Sequence, residues 1–190
     1  MRPLILASKS PRRRELLARL GLPFEVRDPG LAEPPPAAPP GRFALVWAEK
    51  KARAAWEPGR FALGADTVVA LGDRVLGKPR DGEENAAFLR LLSGRTHTVH
   101  TGVAVVDPEG RARTVLAAPR VRFRELDEDE IRWYAATGEG LDKAGGYGIQ
   151  EKGMALVAGV EGDFYAVVGL PVAAVWEVLK ELGYPLLEGA

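Results

Sequence analysis

A chain of 190 residues, 46% of them hydrophobic, can build a real core, and its length points to one domain, compact or drawn out into two lobes. Its 26 basic residues balance 26 acidic ones, which counts against a dedicated nucleic-acid or membrane-surface binder but leaves room for a local basic site. The absence of cysteine excludes disulfides, thiolate metal sites and cysteine nucleophiles.

The opening MRPLILAS is too short, and too soon charged again, for a signal peptide. The longest uncharged stretch, FYAVVGLPVAAVW (164–176), contains Gly169 and Pro171 and falls well short of the ~20 residues of a membrane span. A soluble, cytoplasmic protein is expected.

PLILAS (3–8) reads as a buried parallel strand. Ser10 is placed to cap the next helix, with Pro11 at its first position, an inward stripe of Leu16, Leu17 and Leu20, and a stop at Gly21. PFEVRD is a second strand, and PGLAEPPPAAPPG (29–41) a proline-rich loop holding one acid, Glu33. FALVWAEKKARAAW is a helix whose expected inner face carries Phe43, Val46, Trp47 and Ala54, with Lys51 extending the stripe four residues beyond Trp47. RFALGADTVVAL is a strand and GDRV a tight turn, after which Asp81 could cap a helix ending in FLRLLSG. TVHTGVAVVD, the turn PEG and the run through VRFRELDE predict long antiparallel strands. DEDEIRWYAATGEG predicts a helix with an acidic start, as the macrodipole prefers. KAGGYGIQ (143–150) is too rich in glycine for either regular element. MALVAGVEG and FYAVVGL read as two more strands, and PVAAVWEVLKEL as a closing helix with Val172, Val175, Trp176 and Leu179 inward. The alternation predicts an α/β fold with a mixed sheet.

Three clusters could carry chemistry. In SKSPRRRELL the helix start puts free backbone N–H groups beside Arg12, Arg13 and Arg14, with Lys9 and the hydroxyls of Ser8 and Ser10 as further donors. That suits a phosphate, although a solvated basic helix end accounts for it as well. Arg13 shares the leucine side, so at least one of these cations is aimed inward. In GADTVVALGDRVLGKP, Asp66 sits among small residues where it could bind Mg²⁺ or take a proton, and Lys78 is held extended before Pro79. Taken alone, an Asp beside a Thr is more often a turn cap. In GEGLDKAGGYGIQ, Asp142 and Lys143 lead into glycines that let a ligand approach, and Gln150 can both donate and accept. No Walker A or G-x-S-x-G motif occurs. His97 and His100, three apart on opposite faces of a strand, read as structural rather than as a zinc pair. Trp133 and Tyr134 suit an interface or the core.

In this order, LASKSPRRRELL, EKKARA, GADTVV with LGKPRD, LSGRTHTVHTGVAV, LDKAGGYGIQ and FYAVVGLPV resemble the Maf family of nucleoside triphosphate pyrophosphatases across nearly the whole chain. The resemblance implies one elongated α/β domain, residues 1–190, with a long mixed sheet flanked by helices and a cleft between two lobes, often dimeric. It implies cleavage of a nucleoside triphosphate between the α and β phosphates with a divalent metal cofactor, Mg²⁺ or Mn²⁺, and no nucleic-acid or membrane partner. Arg12, Thr67 and Gln150 look like the branch that prefers dTTP and UTP rather than 7-methyl-GTP. By the resemblance Asp66 matches the proposed base, and Ser8, Arg12, Arg13, Glu33, Lys51, Lys78 and Gln150 match other cleft residues. Ser10 and Lys143 join the substrate-binding set, and Thr67 and Gln150 would read the pyrimidine. Where many relatives carry an acidic pair, this chain has Ala32–Glu33, so metal coordination would rest on Glu33, Asp66 and water; whether Asp66 is base or ligand stays open. Two other readings are a nucleotide-binding regulator of cell division with incidental hydrolysis and an RNA-contacting module, the latter opposed by the zero net charge.

Overall fold

The apolar run near the front becomes β1 (Leu4–Ala7), buried at every residue in the computed structural model, which describes residues 3–187. Ser10 caps α1 (Pro11–Arg19) by accepting the Arg13 backbone N–H at 3.4 Å, and Gly21 ends that helix region at φ +72°. There follow β2 (Phe24–Arg27), α2 (Pro40–Ala55), β3 (Ala62–Leu71), β4 (Arg74–Leu76), α3 (Gly82–Leu92), β5 (Thr96–Val106), β6 (Ala112–Ala117) and β7 (Arg120–Phe123). The chain continues through α4 (Glu128–Ala136), β8 (Val157–Glu161), α5 (Phe164–Val168) and α6 (Val172–Glu181). Asp81 caps α3, and Asp127 with Glu130 forms a capping box on the acidic start of α4. Among the described residues no helix is long and apolar enough to cross a membrane.

The eight strands among the described residues form one mixed sheet in the order β2-β1-β3-β5-β7-β8, with β4 added to β3 and β6 to β5. β1 runs parallel to β2 and to β3; the other pairs are antiparallel. The pairing of β3 opens the cleft. One edge is zipped to β5 from Ala62 to Ala70. On the other edge β1 stops at the Ala7–Gly64 pair and β4 begins at the Val69–Leu76 pair. Residues 65–68 are left without a strand partner there, at the carboxyl end of β1, where connections diverge and ligands bind in α/β sheets.

The two-residue period of β3 and β5 divides the protein into two layers. Leu63, Ala65 and Val69 of β3 face the main core with Val99, Val103 and Val105 of β5, under α1, α3, α4 and α6. The other face receives α2. Its buried side is not the predicted one: Val46 and Ala54 are exposed, Phe43 and Trp47 are half-buried, and Ala44, Ala48, Lys51, Ala52 and Ala55 point inward. The reason lies across the interface. A Cβ on Gly64 would stand 2.2 Å from the Ala48 carbonyl oxygen, and one on Gly102 would stand 2.5 Å from the Ala44 carbonyl carbon. Backbone packs on backbone, so the inner face must be made of small residues, and the bulky ones turn outward.

A second expectation fails at FYAVVGL, which forms α5 rather than a strand. The Asp163 carboxylate accepts from the Tyr165 and Ala166 N–H groups and starts a turn, which Gly169 ends at φ +130°. A local cap outweighs the apolar run. In α6 the fully inward residues are Val175, Val178 and Leu179, with Val172 and Trp176 packed at the core's margin. Tyr134 is core and Trp133 is exposed.

His97 is buried beneath the glycine-rich loop, its Nε2 2.6 Å from the Tyr147 hydroxyl and its ring edge-on to Phe123 and Tyr147. Burial pushes its pKa down to about 4. The unfolded chain, with histidine near 6.5, then binds this proton before the folded chain does. Its contribution is therefore complete above pH 6.5 and drains away as pH falls toward 4. We expect wild type to lose about 2 to 3 kcal/mol more unfolding free energy than His97→Gln between pH 7 and pH 4.5. Denaturant titrations of both at the two pH values check this; parallel losses would assign acid sensitivity elsewhere.

Candidate active site

The open stretch of β3 floors a cleft of about 420 Å³. Ser8, Ser10, Arg12, Arg13, Glu33, Lys51, Asp66, Thr67, Lys78, Lys143 and Gln150, the residues matched to the cleft by the resemblance, line it, whereas Arg14 of the arginine run does not. So do Asp28, Tyr147 and the backbone around Gly169, which sequence reasoning did not select. Tyr147 lay within the glycine-rich motif; Asp28 and Gly169 carried no local signal for a site.

The first wall is the turn from β1 into α1. The Ser8 hydroxyl accepts the Ser10 N–H at 3.1 Å, which locks the turn ahead of the helix cap. The three arginines then separate: Arg13 is buried, Arg12 half-buried and Arg14 exposed. Arg13 Nε donates to the Gly169 carbonyl at 2.7 Å and Nη2 to Thr67 Oγ1 at 3.0 Å. Burial lowers its pKa, against the favourable field of Asp66, but a guanidinium stays charged at any working pH. Lys9, exposed but also lining the cleft, is engaged with Asp28 at 2.7 Å.

The second wall joins β3 to α2. Alternation along β3 turns Asp66 toward α2, and Lys51 comes down from that helix with its Nζ 2.7 Å from Asp66 Oδ1. The same Nζ is 2.7 Å from Glu33 Oε1 of the proline-rich loop. Asp66 and Lys51 are both buried, whereas Glu33 is exposed. Burial raises the Asp66 pKa above the ordinary carboxylate value, while Lys51 and then Arg13 pull it back. Among the described residues Asp66 Oδ2 takes no hydrogen bond, so a lone-pair oxygen is left for the cleft.

The third wall is the glycine-rich loop. Gly145 and Gly146 have φ of +74° and +77°, and a Cβ on Gly145 would meet Val69 at 2.9 Å, so the loop lies tightly against β3. Asn85 donates to the Gly146 carbonyl at 2.6 Å. Glu139 accepts from Tyr134 Oη, Lys152 N and Gly153 N and ties the loop's two ends. Lys143 Nζ donates to the Glu139 carbonyl at 2.6 Å and to Asp142 at 2.9 Å, and Arg12 reaches the same Asp142 across the cleft at 3.8 Å. Burial works to raise the Asp142 pKa, but Lys143 holds it below the usual value. Gln150 and Lys78 stand exposed at the rim.

Among the described residues no group of three or more His, Cys, Asp or Glu side chains is assembled to hold a metal ion. The pair that converges is Glu33 with Asp66, both already directed at one cationic nitrogen. Two carboxylates suit Mg²⁺ or Mn²⁺, hard cations that commonly take one or two protein carboxylates and complete their shell with water and substrate phosphates.

A cleft with two buried cations, further cations at its rim and a buried carboxylate among them has the chemistry to take a phosphorylated, polyanionic ligand. The chain belongs to the Maf family: the family model for Maf-like proteins matches residues 3–182. It is 53% identical over 182 residues to the dTTP/UTP pyrophosphatase of Thermus thermophilus, covering 96% of each chain. It is 54% identical over 181 residues to the protein of the same name from Deinococcus radiodurans (94% of this chain, 92% of that one). The Moorella thermoacetica dTTP/UTP pyrophosphatase shares 52% identity over 189 residues, covering 96% of each. A solved nucleoside-triphosphatase, the dITP/XTP pyrophosphatase of Mycobacterium abscessus, shows a weak likeness at a TM-score of 0.44 and 17% identity, over 65% of this chain and 75% of that one.

Proposed function

We propose that this protein hydrolyses dTTP and UTP between the α and β phosphates, releasing the nucleoside monophosphate and pyrophosphate. The observation that carries the reading is Asp66, a buried carboxylate with one free oxygen, set between Lys51 and the Arg13 wall in a cleft large enough for a nucleotide. The names of the relatives support the substrate class.

Arg13, Arg12 and Lys78, with the N–H groups at the start of α1, hold the polyphosphate and spread its charge. Lys51 orients Asp66 and opposes the upward push that burial gives its pKa. Asp66 Oδ2 receives the proton of a water that attacks the α phosphorus in line with the departing pyrophosphate. Glu33 and Asp66 would hold the divalent cation, which when bound neutralises phosphate charge. Gln150, exposed at the rim, can match the donor and acceptor pattern of a pyrimidine edge.

A site built for one hydrogen-bond pattern rejects analogues that leave its groups unpaired. Gln150→Ala is expected to narrow the kcat/KM ratio between UTP and CTP about tenfold while lowering the UTP rate by less. Steady-state kinetics on both nucleotides read this. A large loss of kcat with the preference intact would place Gln150 in the chemistry.

The direct test offers purified protein dTTP, UTP, CTP, GTP, ATP and 7-methyl-GTP with Mg²⁺ or Mn²⁺ and identifies the products. TMP or UMP with pyrophosphate is the expected result. Orthophosphate with a diphosphate would move the attack to the γ phosphorus and overturn the reading, and binding without turnover would favour a regulator.

A further inference from the structure

Behind Arg13 lies a chain of hydrogen bonds that does not touch the cleft until its last link. Thr101 of β5 is fully buried and sits opposite Thr67 in the β3–β5 register. Its Oγ1 is 2.7 Å from the Ala166 carbonyl and 3.0 Å from Thr67 Oγ1. A hydroxyl has one proton, and a carbonyl can only accept. The Thr101 proton is therefore committed to Ala166, so Thr67 donates to Thr101. The Thr67 oxygen then accepts from Arg13 Nη2, while Arg13 Nε donates to the Gly169 carbonyl. The donors run in one direction only: Arg13 to Thr67, Thr67 to Thr101, Thr101 to Ala166.

We propose that Thr101 is a positioning residue that orients the Arg13 guanidinium through Thr67. Two of the five guanidinium N–H groups are tied to the protein by this arrangement. Among the described residues the other three have no partner, and Arg13 lines the cleft, so they are available to a ligand while Thr67 and the Gly169 carbonyl hold the guanidinium. Thr67 changes role as well: with its only proton spent on Thr101, it serves Arg13 and has no donor for a base edge. A valine at position 101 would keep the shape of the side chain but remove both bonds, freeing the Thr67 hydroxyl to rotate and loosening one of the two anchors of Arg13. The inference rests on the proposed reading in that Arg13 is taken as a phosphate ligand.

The experiment measures binding of inorganic pyrophosphate by calorimetry to wild type, Thr101→Val, Thr101→Ser, Arg13→Ala and the Thr101→Val/Arg13→Ala double variant. Thr101→Val is expected to weaken binding about tenfold, the scale of one charge-assisted hydrogen bond. Thr101→Ser, which keeps the hydroxyl, should stay within about threefold of wild type, and the double variant should bind no more weakly than Arg13→Ala, as coupled groups do. An equal further loss in the Arg13→Ala background would overturn the relay, as would a Thr101→Ser variant as weak as Thr101→Val. Wild type that does not bind pyrophosphate would overturn it too, by leaving Arg13 no anion to be oriented toward. Should Thr101→Val not fold, Thr67→Val breaks the same chain one link nearer to Arg13. The product assay with dTTP, run in parallel, keeps the two ideas apart: coupling without turnover upholds the relay and rejects the pyrophosphatase, and turnover without coupling does the reverse.

Discussion

Asp66→Asn is expected to lower kcat for pyrophosphate release from dTTP about 10³-fold, within the range a positioned general base supplies. The change replaces one oxygen by an amide nitrogen and leaves the volume unchanged. The asparagine carbonyl can still accept from Lys51 Nζ, now at 2.7 Å from Asp66 Oδ1, and Glu33 remains as a second partner for that ammonium at 2.7 Å. Breaking a buried ion pair outright costs about 3 to 5 kcal/mol because a charge is stranded; here it is not stranded. The melting temperature should therefore stay within a few degrees of wild type, while the amide can neither take a proton from water nor contribute a charged oxygen to a divalent cation. Single-turnover kinetics beside a thermal melt are the measurement. A well-folded variant with unchanged turnover would remove Asp66 from the reaction. If kcat falls and pyrophosphate still binds with wild-type affinity, the loss lies in the chemical step rather than in capture of the ligand.

Gly64→Ala is expected to cost about 3 kcal/mol of unfolding free energy, at the upper end of overpacking penalties. A methyl group at position 64 would lie 2.2 Å from the Ala48 carbonyl oxygen and 2.6 Å from the Ala52 backbone nitrogen. Neither is the end of a flexible side chain that could swing away, so α2 itself must lift from the sheet. Lys51 lies on α2 between those two alanines, and lifting the helix withdraws the ammonium from Asp66. One methyl group should thus reduce stability and activity together, although it touches no ligand. Gly159→Ala is the control: its methyl would find only the far end of the Arg122 side chain, at 3.8 Å, and its stability should move by less than about 0.5 kcal/mol. Denaturant curves for both variants decide the matter, and Gly64→Ala as stable as Gly159→Ala would mean that α2 is not seated as tightly as described.

The failures and successes of the sequence reading sort by distance along the chain. The caps at Ser10 and Asp81, the acidic start of α4, the stop at Gly21, the irregular glycine-rich loop and the inward Arg13 were all legible, because each depends on residues within a turn or two of one another. The side chains of the cleft were legible for a different reason: phosphate chemistry needs clustered cations, a carboxylate and close backbone approach, and these residue types stood together in short motifs. The strand assigned to FYAVVGL went wrong where an apolar run looks alike in either state and the deciding group, Asp163, lies just outside it.

What the sequence by itself determined was which residues turn the chain and which can carry charge to a phosphate. The tertiary structure alone decided which face of α2 is buried, because Ala44, Ala48 and Ala52 are inner only opposite Gly64 and Gly102. It alone joined Thr101 to Thr67 and Thr67 to Arg13, across separations of 34 and 54 residues. A cap or a turn is settled by backbone groups at hand, whereas burial and the direction of a hydroxyl proton are settled by whatever the fold brings to the other side.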